Sequence, residues 1–174
     1  MDLFEAISKR HSYRAEFTGT RISREHLRSI VQAGIDAPTA CNAQTVTFMI
    51  VDEPDLVKQI GEIIQKDFVR DAPALIVCLA DHRAVYREMS FAAEDCAAAV
   101  ENMLLAITAL RYASVWLQGA LCVEGRAGRI AALLGAPADR EVRVLLPVGV
   151  PKAKGSPRKK LPFGERVWFN RYGE

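Results

Sequence analysis

Seven consecutive apolar residues, Ala74-Leu75-Ile76-Val77-Cys78-Leu79-Ala80, follow Pro73. A run this short and this uniformly apolar reads as a strand covered on both faces. Such a strand requires packed layers around it, which restricts the chain to layered folds of helix and sheet. At 174 residues, half of them hydrophobic, the chain reads as one domain, residues 1–174, with enough material for a sizeable core.

Other segments alternate around that strand. A short amphipathic stretch spans residues 3–7, and a helical pattern runs from Ser23 to about Asp36 with Leu27, Ile30, Val31 and Gly34 on one face. Pro38 ends it, because the residue before a proline disfavours helix. Residues 46–51 read as a buried strand. Pro54 suits a first helical position, with the helix continuing to about Lys66. Residues 90–113 form a long alanine-rich helix, whose small residues Ala92, Ala93, Ala97, Ala98 and Ala99 permit close helix approach and whose wide apolar girth predicts burial on most sides. A short strand over 114–118, a helix over 124–134 stopped by Gly135 and Pro137, and a strand over 141–150 complete the pattern. Alternating helices and strands would equally suit a doubly wound sheet.

Charge and cysteine usage exclude several classes. The net charge of +2 argues against a general nucleic-acid binder. From position 152 to 171, seven Lys or Arg residues stand against one acid, Glu165, and that tail also carries Val167, Trp168, Phe169 and Tyr172. A disordered basic arm has no reason to carry such aromatics, so residues 152–174 read as an extension that docks on a surface, that of a second subunit being the leading candidate. Cys41, Cys78, Cys96 and Cys122 are scattered without a Cys-x-x-Cys pair, which points away from zinc and iron–sulfur sites and towards a reducing cytosol, a cytoplasmic location. Cys78 and Cys96 read as small buried hydrophobes, Cys41 as a small filler, His26 as a helix surface residue and His82 as loop. The apolar stretch 91–110 is broken by Glu94, Asp95 and Glu101, which marks a core helix and not a membrane span.

Three segments could carry chemistry. Lys9-Arg10-His11-Ser12-Tyr13-Arg14 places cations and a hydroxyl together, a set that suits a phosphate, though a solvated helix end would look the same. Ala37-Pro38-Thr39-Ala40-Cys41-Asn42-Ala43-Gln44 concentrates hydroxyls and amides able to meet the edge of a heteroaromatic ring, or forms an ordinary turn. The third is Ser114-Val115-Trp116-Leu117-Gln118-Gly119.

In this order the segments resemble the short, FMN-dependent type of the nitroreductase family. Members carry an Arg-[Arg/His]-Ser-x-[Arg/Lys]-x-Phe-like run, here Arg10 to Arg14 with Phe17 one residue late. They carry Pro-[Ser/Thr]-x-x-Asn-x-Gln, here Pro38 to Gln44, and an Ala-Pro strand, here Ala72-Pro73-Ala74. A long helix, a strand like Tyr112 to Gly119, a Val-Gly-x-Pro turn at Val148 to Pro151 and a Pro-Arg-Lys segment at Pro157 to Lys159 follow. The resemblance implies an α+β fold with a central, mainly antiparallel sheet flanked by helices, dimeric through the long helix. It implies FMN at the dimer interface, with Arg10, His11 and Ser12 around the phosphate and ribityl chain and Arg14 nearer the isoalloxazine N1 and O2. Pro38, Thr39, Ala40, Asn42 and Gln44 match a loop reaching the FMN of the other subunit. Leu117, Gln118 and Gly119 match backbone near the flavin, and Arg158 a C-terminal phosphate ligand. Ser156 stands where a family Lys is frequent, with Lys159 or Lys160 as substitutes; Thr45-Val46 replaces a frequent Pro-Trp, and Tyr112 a frequent glycine.

The activity so implied is NADH or NADPH oxidation coupled, in a ping-pong cycle, to reduction of a nitroaromatic or quinone. The flavin carries the hydride, so no catalytic side chain is named, and the chain lacks the Gly-x-Gly-x-x-Gly of a Rossmann nicotinamide site. Three other readings stand beside it. Flavin-fragmenting or dehalogenating relatives cover the flavin with a lid, for which residues 81–91 leave little chain. A non-catalytic flavin-binding redox sensor would keep the site without turnover. A basic-arm protein would bind nucleic acid with steep salt dependence.

Overall fold

The computed structural model describes residues 1–173. Each early element has a local cause. Helix α1 (Leu3–Lys9) is capped by Asp2, whose carboxylate accepts from the Glu5 amide at 2.9 Å. Helix α2 (Arg24–Ile35) is capped by Ser23, whose hydroxyl accepts from the His26 amide at 3.1 Å. Its apolar face buries Leu27 and Ile30. Pro54 opens α3 (Pro54–Ile64). The predicted helix over 54–66 is in fact two. Gln65 takes a left-handed conformation with φ 58°, α3 stops there, and a separate turn of helix, α4 (Asp67–Arg70), follows.

Four strands make one sheet: β1 (Val46–Val51), β2 (Ala74–Ala80), β3 (Ala113–Ser114) and β4 (Glu141–Gly149), in the order β1-β2-β4-β3. Every ladder is antiparallel. All seven residues of β2 are buried, and the alternation of the strand explains how. Leu75, Val77 and Leu79 face one core with Val57, Ile60, Ile64, Ile130 and Leu145. Ala74, Ile76 and Cys78 face the other with Leu27, Ile30, Val100, Met103 and Ile107. A register shift between Cys78 and Leu79 skips Arg143, so Val142 joins the first core while Val144 joins the second.

Helix α5 (Ala92–Ala109) packs against α2 over the second core. It is shorter than predicted, because Ala113 has already entered β3. As predicted it is buried or half-buried on most sides; Ala93, Glu94, Ala97 and Glu101 form one exposed stripe in the single chain. The strand predicted over 114–118 is also reduced. Beyond Ser114 only an isolated bridge of Leu117 with Leu145 continues it. Helix α6 (Arg126–Leu133) covers the first core through Ile130. The described part of the tail from residue 156 onward is almost wholly exposed, with Phe163 at 66%, Phe169 at 75% and Tyr172 at 86%. No helix among the described residues is long and apolar enough to cross a membrane.

Candidate active site

The basic run after α1 is laid against the end of the sheet. Ser12 forms a parallel bridge with Ser114, and the Tyr13 amide donates to the Ser114 carbonyl at 2.9 Å. Tyr13 and Phe17 point inward and are buried, while Ser12 and Arg14 are exposed. Arg10 caps α1, and its Nε lies 3.5 Å from Glu101 Oε1 with the side chain one quarter exposed.

The start of the tail closes over this run. The Lys152 amide donates to the Glu16 carbonyl at 3.0 Å, and both the Lys152 and Ala153 amides donate to the Tyr13 hydroxyl. Lys152 Nζ pairs with Glu16 at 2.7 Å. Gly155 then passes so close to His11 that a Cβ there would sit 2.1 Å from His11 Nε2. Nδ1 of His11 lies 3.0 Å from the Lys9 carbonyl, which can only accept, so Nδ1 carries a proton. Nε2 is buried without a partner, and so is the Ser114 hydroxyl. Buried polar atoms are nearly always satisfied. The cationic run beside them suits an anionic group such as the phosphate of FMN, but the two atoms themselves are covered: Nε2 lies under Gly155, and the cleft they line measures about 30 Å³. That cleft is floored by Leu104, Ile107 and Thr108 of α5.

The amide-rich loop lies at the other end of the same helix. Residues Ala40–Asn42 form a turn of 3-10 helix, and Cys41, Asn42 and Gln44 all have left-handed φ of 50–53° without being glycine. Each such residue costs on the order of 1 kcal/mol or more. The loop is held from several sides. The Asp95 carboxylate accepts from the Ala40 amide at 2.8 Å and from the Thr45 hydroxyl at 2.6 Å. Thr39 Oγ1 accepts from the Gln44 amide at 3.2 Å. Arg83 Nη2 donates to the Ala43 carbonyl at 2.6 Å, and the Asp81 amide donates to the Thr45 carbonyl at 2.9 Å. Arg83 also hydrogen-bonds Asp81 through both its amide and its guanidinium, and these bonds hold the Asp81 carboxyl below the usual carboxylate range. Beside the loop, a cavity of about 430 Å³ is lined by Thr39, Gln44, Val46, Phe48, Asp95 and Ala99, among others.

The predicted residues therefore fall into groups. Arg10, His11 and Ser12 are gathered with Ser114 and the tail start; Arg14 stands exposed on the same segment. Leu117, Gln118 and exposed Gly119 follow a few residues beyond β3, outside any strand. Pro38, Thr39, Ala40, Asn42 and Gln44 share one loop, with Pro38, Asn42 and Gln44 exposed. That loop does not meet the basic run within one chain. From Asp95 to the cleft at Leu104 to Thr108 is about 14–20 Å along α5 at about 1.5 Å per residue. Arg158 and Lys159 are exposed on the tail.

Two expectations change. Cys41 is exposed, because the left-handed turn directs it outward; it fills no core gap. His26 is half-buried, with Nδ1 2.8 Å from the Tyr112 hydroxyl. The sequence places Ser114 in the third segment without a role of its own, and it assigns none to Gly155 or Asp95. For Asp95 a signal existed: it is a carboxylate on an apolar helix, buried to 3% exposure, and such a group needs donors.

Comparison with known proteins agrees with this architecture. The Nitroreductase family model matches residues 7–68 and 62–150. An Archaeoglobus fulgidus protein provisionally named NADH dehydrogenase/NAD(P)H nitroreductase is 32% identical over 152 residues, covering 87% of this chain and 86% of the relative. An NADPH-dependent oxidoreductase of Staphylococcus haemolyticus is 28% identical, covering 92% of this chain and 70% of its own. Among solved structures, the FMN-dependent nitroreductase from Clostridium difficile R20291 superposes with a TM-score of 0.83 at 21% identity, over 97% of this chain and 99% of that one. The NADPH:FMN oxidoreductase from Vibrio harveyi complexed with NAD+ superposes at 0.84 and 24% identity, over 99% and 78%. At these identities the superpositions speak for the fold. The antiparallel sheet, the ordered site segments and a family match spanning most of the length lead to one conclusion: the chain belongs to the nitroreductase family.

Proposed function

We propose that this chain is an FMN-dependent NAD(P)H oxidoreductase that reduces small nitroaromatic or quinone-type acceptors, with donor and acceptor using one site in turn. It works as a homodimer, each flavin lying where the basic run of one subunit meets the amide loop of the other. The observation that carries this reading is the division of the site. Orphaned His11 Nε2 and Ser114 Oγ lie at one end of α5, and a rigidly held amide loop at the other. Parted along α5 within one chain, the two would share a flavin only if a second copy brought one to the other. The names of the relatives, NADPH-dependent oxidoreductase and FMN-dependent nitroreductase, support the same chemistry.

When bound, FMN supplies hydride transfer, and the protein supplies binding and electrostatics. Arg10 and Ser12 hold the phosphate, with Arg158 and Lys159 reaching it from the tail. His11 would flank the phosphate and the chain that leads to the ring. Arg14 fixes a positive charge near the ring edge where negative charge gathers on reduction. Pro38, Thr39, Ala40, Asn42 and Gln44 frame the ring from the partner, with Asn42 and Gln44 offering amides. The backbone of Leu117, Gln118 and Gly119 closes the other side, and Gly119 leaves open space there. The tail docks on the partner and covers its exposed Phe163, Phe169 and Tyr172, an apolar surface that costs free energy in water.

Steady-state oxidation of NADH and NADPH, with menadione or a nitrofuran as acceptor, tests the reading. Turnover with parallel double-reciprocal plots is expected. Stoichiometric flavin with no turnover on either donor would replace it with the redox-sensor reading.

A further inference from the structure

Asp95 is singular among the acids of α5. It is 3% exposed, sits in the first turn of the helix, and takes its hydrogen bonds from two neutral donors, the Ala40 amide and the Thr45 hydroxyl. Those two residues bracket the segment that contains all three left-handed residues of the loop, Cys41, Asn42 and Gln44. A carboxylate buried among neutral donors is costly unless each bond is well made, and a charged acceptor makes such bonds about twice as strong as a neutral one. At 2.8 and 2.6 Å both are short. The strained segment is thus closed like a staple, with one atom pair at its entry and one at its exit. The opposite side is gripped by Arg83 at Ala43 and by the Asp81 amide at Thr45.

We propose that Asp95 is a positioning residue of the flavin site: its carboxylate holds residues 40–45 in the conformation that presents Asn42 and Gln44 outward to the cofactor of a second subunit. The proposal rests on the functional reading above for what the loop meets, and on this chain's own geometry for what holds the loop. Asp95 touches no reacting atom. It acts by keeping an otherwise unfavourable backbone in one shape, which is where pre-organisation is most needed. Thr45 carries the exit bond, and its hydroxyl is fully buried for that purpose.

The test is hydrogen exchange of the peptide covering residues 39–46, together with FMN affinity, in the full chain and in Asp95→Ala, Asp95→Asn and Thr45→Val. Ile130→Val, in the core on the opposite face of the sheet, is the control for general loss of stability. Asp95→Ala should speed exchange in that peptide by roughly tenfold or more, the expected effect of losing bonds to a charged group. It should weaken FMN binding by a similar factor at a thermal midpoint no lower than that of the control. Asp95→Asn should fall between, since its carbonyl can still accept from Ala40 while its amide nitrogen cannot accept from Thr45. Unchanged exchange in Asp95→Ala would overturn the proposal. So would faster exchange with wild-type FMN affinity, or equal effects in the control. A wild-type chain that binds no FMN would sink the flavin reading, while the exchange data would still decide whether Asp95 holds the loop.

Discussion

At the residue scale, Arg10 and Ser12 form the shortest signal on which the proposed site rests. Their spacing alone could not distinguish a phosphate site from a solvated helix end. In the structure both lie near His11 Nε2 and Ser114 Oγ, two buried polar atoms without a hydrogen-bond partner, and the phosphate role remains a proposal. The paired substitution Arg10→Ala with Ser12→Ala should abolish retention of FMN on gel filtration, with far-ultraviolet circular dichroism unchanged. Ser12 is exposed and Arg10 has a single exposed acid, Glu101, as its ion-pair partner, so neither holds the core. Retained stoichiometric FMN would remove them from the phosphate role. The roles of Ser114 and Gly155 could not be read in the same way, and for Asp95 only the carboxylate on an apolar helix was visible, not its partners. Each matters through a neighbour distant in sequence, and no local pattern encodes that His11 will lie under Gly155.

At the scale of elements, the hydrophobic patterns of β2, β4 and α2 were legible because each serves a single packing demand along its length. The break between α3 and α4 was not. It depends on Gln65 adopting φ 58°, a conformation usually marked by glycine, and on Gly61 admitting the backbone of Arg70. A Cβ on Gly61 would lie 2.2 Å from Arg70 Cα, and backbone cannot yield as a flexible side-chain tip can. Gly61→Ala should therefore destabilise the protein by about 1–3 kcal/mol or more, read as a fall in the urea midpoint with little change in slope. The flavin spectrum of the folded fraction should not move, because Gly61 packs against Arg70 and neither is among the site residues. Strand β3 was overestimated for a related reason. A run such as Ser114 to Gln118 looks like strand locally, yet only Ala113 and Ser114 find ladder partners on β4.

At the scale of the whole molecule, the proposed function requires a second copy of the chain. The alanine stripe of α5, with Ala93 and Ala97 exposed, and the uncovered aromatic tail are features a second copy would cover. The aromatics of the tail suggest from sequence that it docks, but no pattern in one chain names the surface, which under the proposed function is that of a second subunit. The two halves of the candidate site, parted along α5, pose the same question. The most direct measurement is therefore the FMN content and solution mass of the purified protein, compared with those of a chain ending at residue 155. The full chain should be a yellow dimer holding flavin equal in number to its chains, and the shortened chain should lose flavin, dimerisation or both. Full-length protein that stays colourless after soaking in excess FMN, or a shortened chain that remains a fully loaded dimer, would contradict the account.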